Sequence, residues 1–167
     1  MVEEITPLGI VIWLQKCYHW RMIRAVIDTN IFVGACLGTG AASRVLALAI
    51  DGTIHAVMGA ALFSEHEDVL SRRAIFENCR LSEAERSELL DIYIAQTDWV
   101  RIYFGWRPNL RDEGDNHIVE LAVAAGASFI ITRNLRDFKD MDLSFPSIRV
   151  ITPEDFLKEN IIKEKMQ

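Results

Sequence analysis

The chain lacks a hydrophobic run long enough to cross a membrane. Its longest apolar stretch, Leu8-Gly9-Ile10-Val11-Ile12-Trp13-Leu14, falls far short of the ~20 residues that a helical span needs. A secretory signal is also disfavoured, because Glu3 and Glu4 stand where cations are expected and no small-residue cleavage site follows. There is no excess of positive charge: the formal net charge is −6, which excludes an unstructured basic arm for nucleic acid. That balance does not exclude a nucleic-acid substrate, since local arginines and bound cations can reverse the field in one cleft. Only three cysteines occur, Cys17, Cys36 and Cys79, odd in number and without metal-ligand spacing. They read as reduced thiols of a cytosolic protein. Internal repeats, low-complexity tracts and linkers are missing too.

What remains, 167 residues with half of them hydrophobic and a quarter charged, is the composition of one globular domain with a sizeable core. Met22-Ile23-Arg24 leads directly into the first strand-like run. Residues 1–21 therefore read as an N-terminal extension of uncertain role, 22–158 as the domain and 159–167 as a C-terminal tail.

Strand-like and helix-like runs alternate along the domain. Residues 24–27, 54–58, 99–103, 128–131 and 147–151 read as strands. Residues 41–50, 60–73, 82–96 and 115–125 read as helices, and Thr152-Pro153-Glu154 opens a last one. Ser82-Glu83-Ala84-Glu85 is a capping-box pattern. Such alternation predicts an α/β fold with a parallel sheet covered on both faces. In these sheets the ligand crevice lies beyond the carboxyl ends of the strands.

Polar residues gather where those ends are expected. Asp28-Thr29-Asn30 interrupts two apolar runs directly after the first strand, and a carboxylate there is costly to bury without a partner. As an isolated feature, Asp28 would be a helix cap. Asp112, Glu113 and Asp115 form a second acidic group. On a helical wheel Asp115 shares the arc of Ile118, Leu121, Ala122 and Ala125, whereas His117 and Glu120 point away. Thr132, Asn134 and Asp137 follow the fourth strand and reach the same crevice. In Ser64-Glu65-His66-Glu67, His66 sits in the middle of a buried face and reads as a core histidine. Glu65 and Glu67 flank it on opposite sides; periodicity does not choose between them, although Glu67 could serve Ser64 in a capping box. Arg133 and Arg136 are candidates for phosphate contact, with Arg72, Arg73 and Arg111 behind them. No aromatic interleaving for base stacking is evident.

Together AVIDTNIFVGA, FSEHEDVLSR, DEGDNHIVELAVAAGASFIITRN and RVITPEDFL resemble a PIN domain, especially the toxin components of toxin–antitoxin modules, over about residues 22–157. The resemblance implies a three-layer α/β/α sandwich with a mostly parallel central sheet. It implies a ribonuclease that hydrolyses single-stranded RNA with Mg2+ or Mn2+, a cognate antitoxin partner and a homodimer. Position by position it makes Asp28, Glu65, Asp115 and Asn134 catalytic. The metal would be held by Asp28, Asp115, Asp112 and Asp137, with Thr29, Asn30 and Thr132 supporting them. Asn134 departs from the family pattern, since many members carry Asp there; an amide oxygen can ligate but brings no charge. That departure favours an alternative, a PIN-like module that binds RNA or protein without cutting. A haloacid-dehalogenase-type phosphatase, which also places Asp after a first strand, is set aside because its second Asp would fall on Asn30.

Overall fold

The computed structural model describes residues 23–38, 40–105, 110, 113–139 and 145–165. The extension at 1–21, Arg111 and Asp112 lie outside the described residues. Five strands form one sheet: β1 (Arg24–Ile27), β2 (His55–Met58), β3 (Asp98–Trp99), β4 (Phe129–Ile131) and β5 (Arg149–Ile151). They are ordered β3-β2-β1-β4-β5, and every neighbouring pair is parallel. Ala25, Val26 and Ile27 of β1 are 0% exposed. A central strand covered on both faces needs an unbroken apolar run rather than alternation.

Among the described residues six α-helices accompany the sheet: α1 (Thr29–Cys36), α2 (Gly40–Ile50), α3 (Ala60–Ser71), α4 (Glu83–Ala95), α5 (Asn116–Ala125) and α6 (Pro153–Lys165). α5 packs on β1, β2 and β4; α2 packs on α1, α4 and α6. Gly59, which caps α3, shows how close the packing is. A Cβ there would meet Leu121 Cδ1 of α5 at 3.1 Å. The Ser82–Glu85 capping box is formed in both directions at the start of α4. Among the described residues no single helix is long and apolar enough to cross a membrane. Cys36 and Cys79 are free thiols, and Cys79 Sγ–H donates to the Cys36 carbonyl at 3.0 Å.

Several elements differ from the sequence reading. The run after Asp28-Thr29-Asn30 is helix α1, a short apolar segment whose length could not separate helix from strand. The third strand stops at Trp99, with one more ladder bond from Val100 N–H to the Met58 carbonyl; lying at the edge, it has a partner on one side only. α3 ends at Ser71 and yields to a 3₁₀ turn, Arg73–Phe76. α6 continues to Lys165, and its Glu159 accepts both guanidinium nitrogens of Arg149 at 2.8 Å.

Candidate active site

The strand order reverses direction between β1 and β4, because the chain moves from β1 towards one edge and returns to β4 on the other side. That reversal is a switch point, where parallel sheets open a crevice. Asp28 stands at its rim, one residue past β1, its N–H donating to the Ile131 carbonyl at 3.0 Å. It caps α1, accepting from Asn30 N–H at 3.3 Å. The bland expectation is therefore met. It is also incomplete, because the carboxylate receives more than a cap requires.

Asn30 Nδ2 donates to Asp28 Oδ2 at 2.6 Å, and the Thr132 hydroxyl donates to the same oxygen at 2.6 Å. Thr132, 0% exposed, accepts in turn from Asn134 N–H at 3.0 Å, while Asn30 Oδ1 accepts from Arg133 N–H at 3.2 Å. These bonds join the ends of β1 and β4 around one carboxylate that is 6% exposed. Burial pushes Asp28 above the usual carboxylate range, and the charge of Glu65 adds to this. The Thr132 and Asn30 donors and the His117 charge oppose it without prevailing.

α3 brings the second carboxylate. Glu65 Oε2 lies 3.0 Å from His117 Nε2 on α5, a pairing of charges rather than an aligned hydrogen bond. Burial raises Glu65, but His117, the Thr29 hydroxyl and His66 outweigh it and hold the group low. Burial likewise depresses His117, yet Glu65, the Gly114 carbonyl and Asp115 lift it above its ordinary value. His117 Nδ1 is 2.6 Å from that carbonyl, so this nitrogen carries the proton. Glu67 is exposed, and Ser64 lies inside α3 rather than at its cap, so the competing capping box does not form. His66 is a core histidine: it is 0% exposed, with Nδ1 2.8 Å from the Leu62 carbonyl. Its ring packs edge-on against Phe32 at 5.3 Å.

Two residues assigned to the outer face of α5 are not there. His117 turns to Glu65, and Glu120 is 4% exposed, beside Gly105. The wheel assumed that only the sheet covers α5. In the folded chain Glu65 of α3 meets His117 and Gly105 lies against Glu120, and most of the helix is buried. Asp115 is half-buried at the N-cap position of α5 and makes no side-chain cap bond. Asn134 is exposed and donates its amide to half-buried Asp137; Arg133 reaches Glu154 at 3.4 Å. Arg136 is exposed, and Arg72 pairs with Asp68. The sequence reading also missed an aromatic cluster: Trp99, Tyr103 and Phe104 are all more than half exposed, and Arg101 stands among them.

The donor set is oxygen only, which suits hard divalent cations. Among the described residues no group of three acidic, histidine or cysteine side chains is spaced to enclose an ion. Mg2+ demands less, since it keeps several waters and commonly uses one or two carboxylates. Asp28 and Glu65 suit that requirement: the charge of Glu65 helps to raise Asp28, and Glu65 Oε2 is buried without an aligned hydrogen bond, 3.0 Å from His117 Nε2. Crowded carboxylates of this kind are relieved by a cation.

A family model described as PIN domain matches residues 24–136. No curated protein matches the chain. Among solved structures, the crystal structure of VapBC2 from Rickettsia felis bound to a DNA fragment from their promoter is similar, with a TM-score of 0.53 at 14% identity, covering 78% of this chain and 98% of that one. At that identity the likeness is one of fold.

Proposed function

The chain belongs to the PIN domain family, and from that premise we propose that it is a metal-dependent endonuclease of single-stranded RNA, the toxin of a toxin–antitoxin module. The observation that carries this reading is the buried Asp28 carboxylate, set at the β1/β4 switch point in electrostatic reach of Glu65. A cap alone needs neither burial nor a second acid.

In this reading Asp28 and Glu65 hold Mg2+ or Mn2+, with Asp115, Asp112, Asp137 and the Asn134 amide as the further ligands. When bound, such an ion polarises the phosphoryl oxygen and supplies hydroxide near neutral pH. The chain's own residues do the positioning. Asn30 and Thr132 fix the Asp28 carboxylate, as groups behind metal ligands do. His117 and Thr29 hold Glu65 ionised. Arg133 and Arg136 face the phosphates of the strand. The Rickettsia felis structure is of VapBC2 bound to a DNA fragment from their promoter; for this chain we propose an antitoxin partner and a homodimeric toxin.

The test is cleavage of single-stranded RNA by the purified protein with Mg2+ or Mn2+, abolished by EDTA. Asp28→Asn and Asp115→Asn remove most of it, because losing a ligand charge weakens the ion and misplaces the attacking water. Glu88→Gln, on the exposed face of α4, is the neutral control. Equal cleavage by wild type and Asp28→Asn overturns the assignment. One observation favours the second reading, a binding module without catalysis: the Asn134 side chain is spent on Asp137. If wild type binds neither metal nor RNA and Asn134→Asp gains both, that reading prevails.

A further inference from the structure

The residues that follow β3 carry rings into solvent. Tyr103 is 76% and Phe104 79% exposed, and Trp99 is 54% exposed. Rings this exposed forgo much of their apolar contribution to folding, so the adjacency of Tyr103 and Phe104 in an irregular segment calls for a function. Arg101, also exposed, has its guanidinium carbon 5.8 Å from the Tyr103 ring centroid. A cation over one face of a ring leaves the opposite face free.

The segment is tied to the acidic crevice. Gly105 lies against α5 so closely that a Cβ would fall 3.2 Å from Glu120 Oε1. Glu120 stands three residues along α5, a rise of about 4.5 Å, from His117, whose Nε2 is 3.0 Å from Glu65 Oε2. The segment leaves the carboxyl end of edge strand β3, the same end of the parallel sheet at which Asp28 follows β1. Among the described residues the rings' neighbours do not form a continuous apolar surface, because Arg101 and Gly105 bracket them and Ile102 is half-buried. Single open rings beside an arginine suit planar, negatively charged ligands; a protein partner needs a wider apolar patch.

We propose that Tyr103 and Phe104 form a stacking platform for unpaired bases of the RNA strand, with Arg101 contacting an adjoining phosphate. The platform holds nucleotides flanking the bond at the acidic site. It selects single strands, since bases within a duplex do not offer their faces to side chains. This rests on the nuclease reading and adds to it how the substrate is gripped.

The experiment uses the full-length Asp28→Asn protein, which holds RNA without cutting it, and a fluorescein-labelled single-stranded RNA followed by anisotropy in Mg2+. Tyr103→Ala and Phe104→Ala each weaken binding about tenfold, and Tyr103→Phe retains it. In a wild-type background the double alanine variant raises KM and leaves kcat in place. Both rings are exposed, so the variants keep the parent's circular dichroism. Unchanged affinity and KM in the double variant overturn the platform while the nuclease stands. If the parent binds no RNA and wild type cleaves none, the nuclease reading falls and the platform with it. If the double variant loses a dimer seen for the parent in sedimentation while RNA affinity holds, the rings are a contact between copies, and the proposal is wrong.

Discussion

Thr132 and Asp28, 104 residues apart, meet at 2.6 Å between Oγ1 and Oδ2 across the β4/β1 boundary. The hydroxyl donates to the carboxylate and accepts from the Asn134 N–H at 3.0 Å. It therefore ties the first acid of the site to the loop that carries Asn134 and Asp137. Removing it leaves a buried carboxylate short of a donor and the Asn134 N–H without its acceptor. Thr132→Val, nearly equal in shape, should lower unfolding free energy by about 1–3 kcal/mol, read by urea denaturation.

Asp28 itself should behave oppositely in stability and activity. Its folded-state pKa is raised, chiefly by burial, so its contribution to stability is whole below the unfolded value and is lost as pH rises through the folded one. At neutral pH without a cation the burial that raises the group opposes folding. Asp28→Asn should raise Tm in EDTA at pH 7, where 1 kcal/mol is worth about 2–4 °C in a chain of this size. The difference should narrow in Mg2+, which favours the wild-type carboxylate.

The Glu65–His117 pair sets a second pH window. Glu65 is held low, so its contribution is present above its unfolded pKa and lost as pH falls through the folded value. His117 is held high, so its contribution is present below its unfolded pKa and lost as pH rises through the folded value. The pair therefore stabilises the site between the depressed carboxylate and the elevated imidazole. In an NMR titration the His117 midpoint should lie above the ordinary 6.5 and return towards it in Glu65→Gln. A midpoint unchanged by that substitution would show that Glu65 does not govern it.

Gly59 offers a purely steric prediction. Its backbone, at φ −136° and ψ 163°, is open to any residue, so the constraint is the Leu121 methyl 3.1 Å from a Cβ. Gly59→Val should cost about 1–3 kcal/mol by overpacking between α3 and α5, whereas Gly52→Asn, at a turn with open space and φ +76°, should cost less. Thermal denaturation distinguishes the two.

Much of the architecture was written locally. Ala25-Val26-Ile27 is apolar on both faces because a central parallel strand is, and Ser82 with Glu85 marked a helix start through bonds spanning three residues. Asp28, Thr132 and Asn134 could be placed at one crevice because each follows a strand of the same parallel sheet. The sequence was silent where a side chain answers to a distant element. Glu65 and Glu67 lie equally about the buried face of α3, and only α5, by presenting His117, separates them. His117 and Glu120 were assigned to solvent because periodicity sees one covering surface, while α5 also meets α3 and Gly105 in addition to the sheet. Exposure of Tyr103 and Phe104 was hidden in the same way, since an apolar residue reads as buried until the fold places no layer over it. Local rules decide which elements form; which polar groups pair, and which rings stay open, is settled by tertiary contacts between residues far apart in the chain.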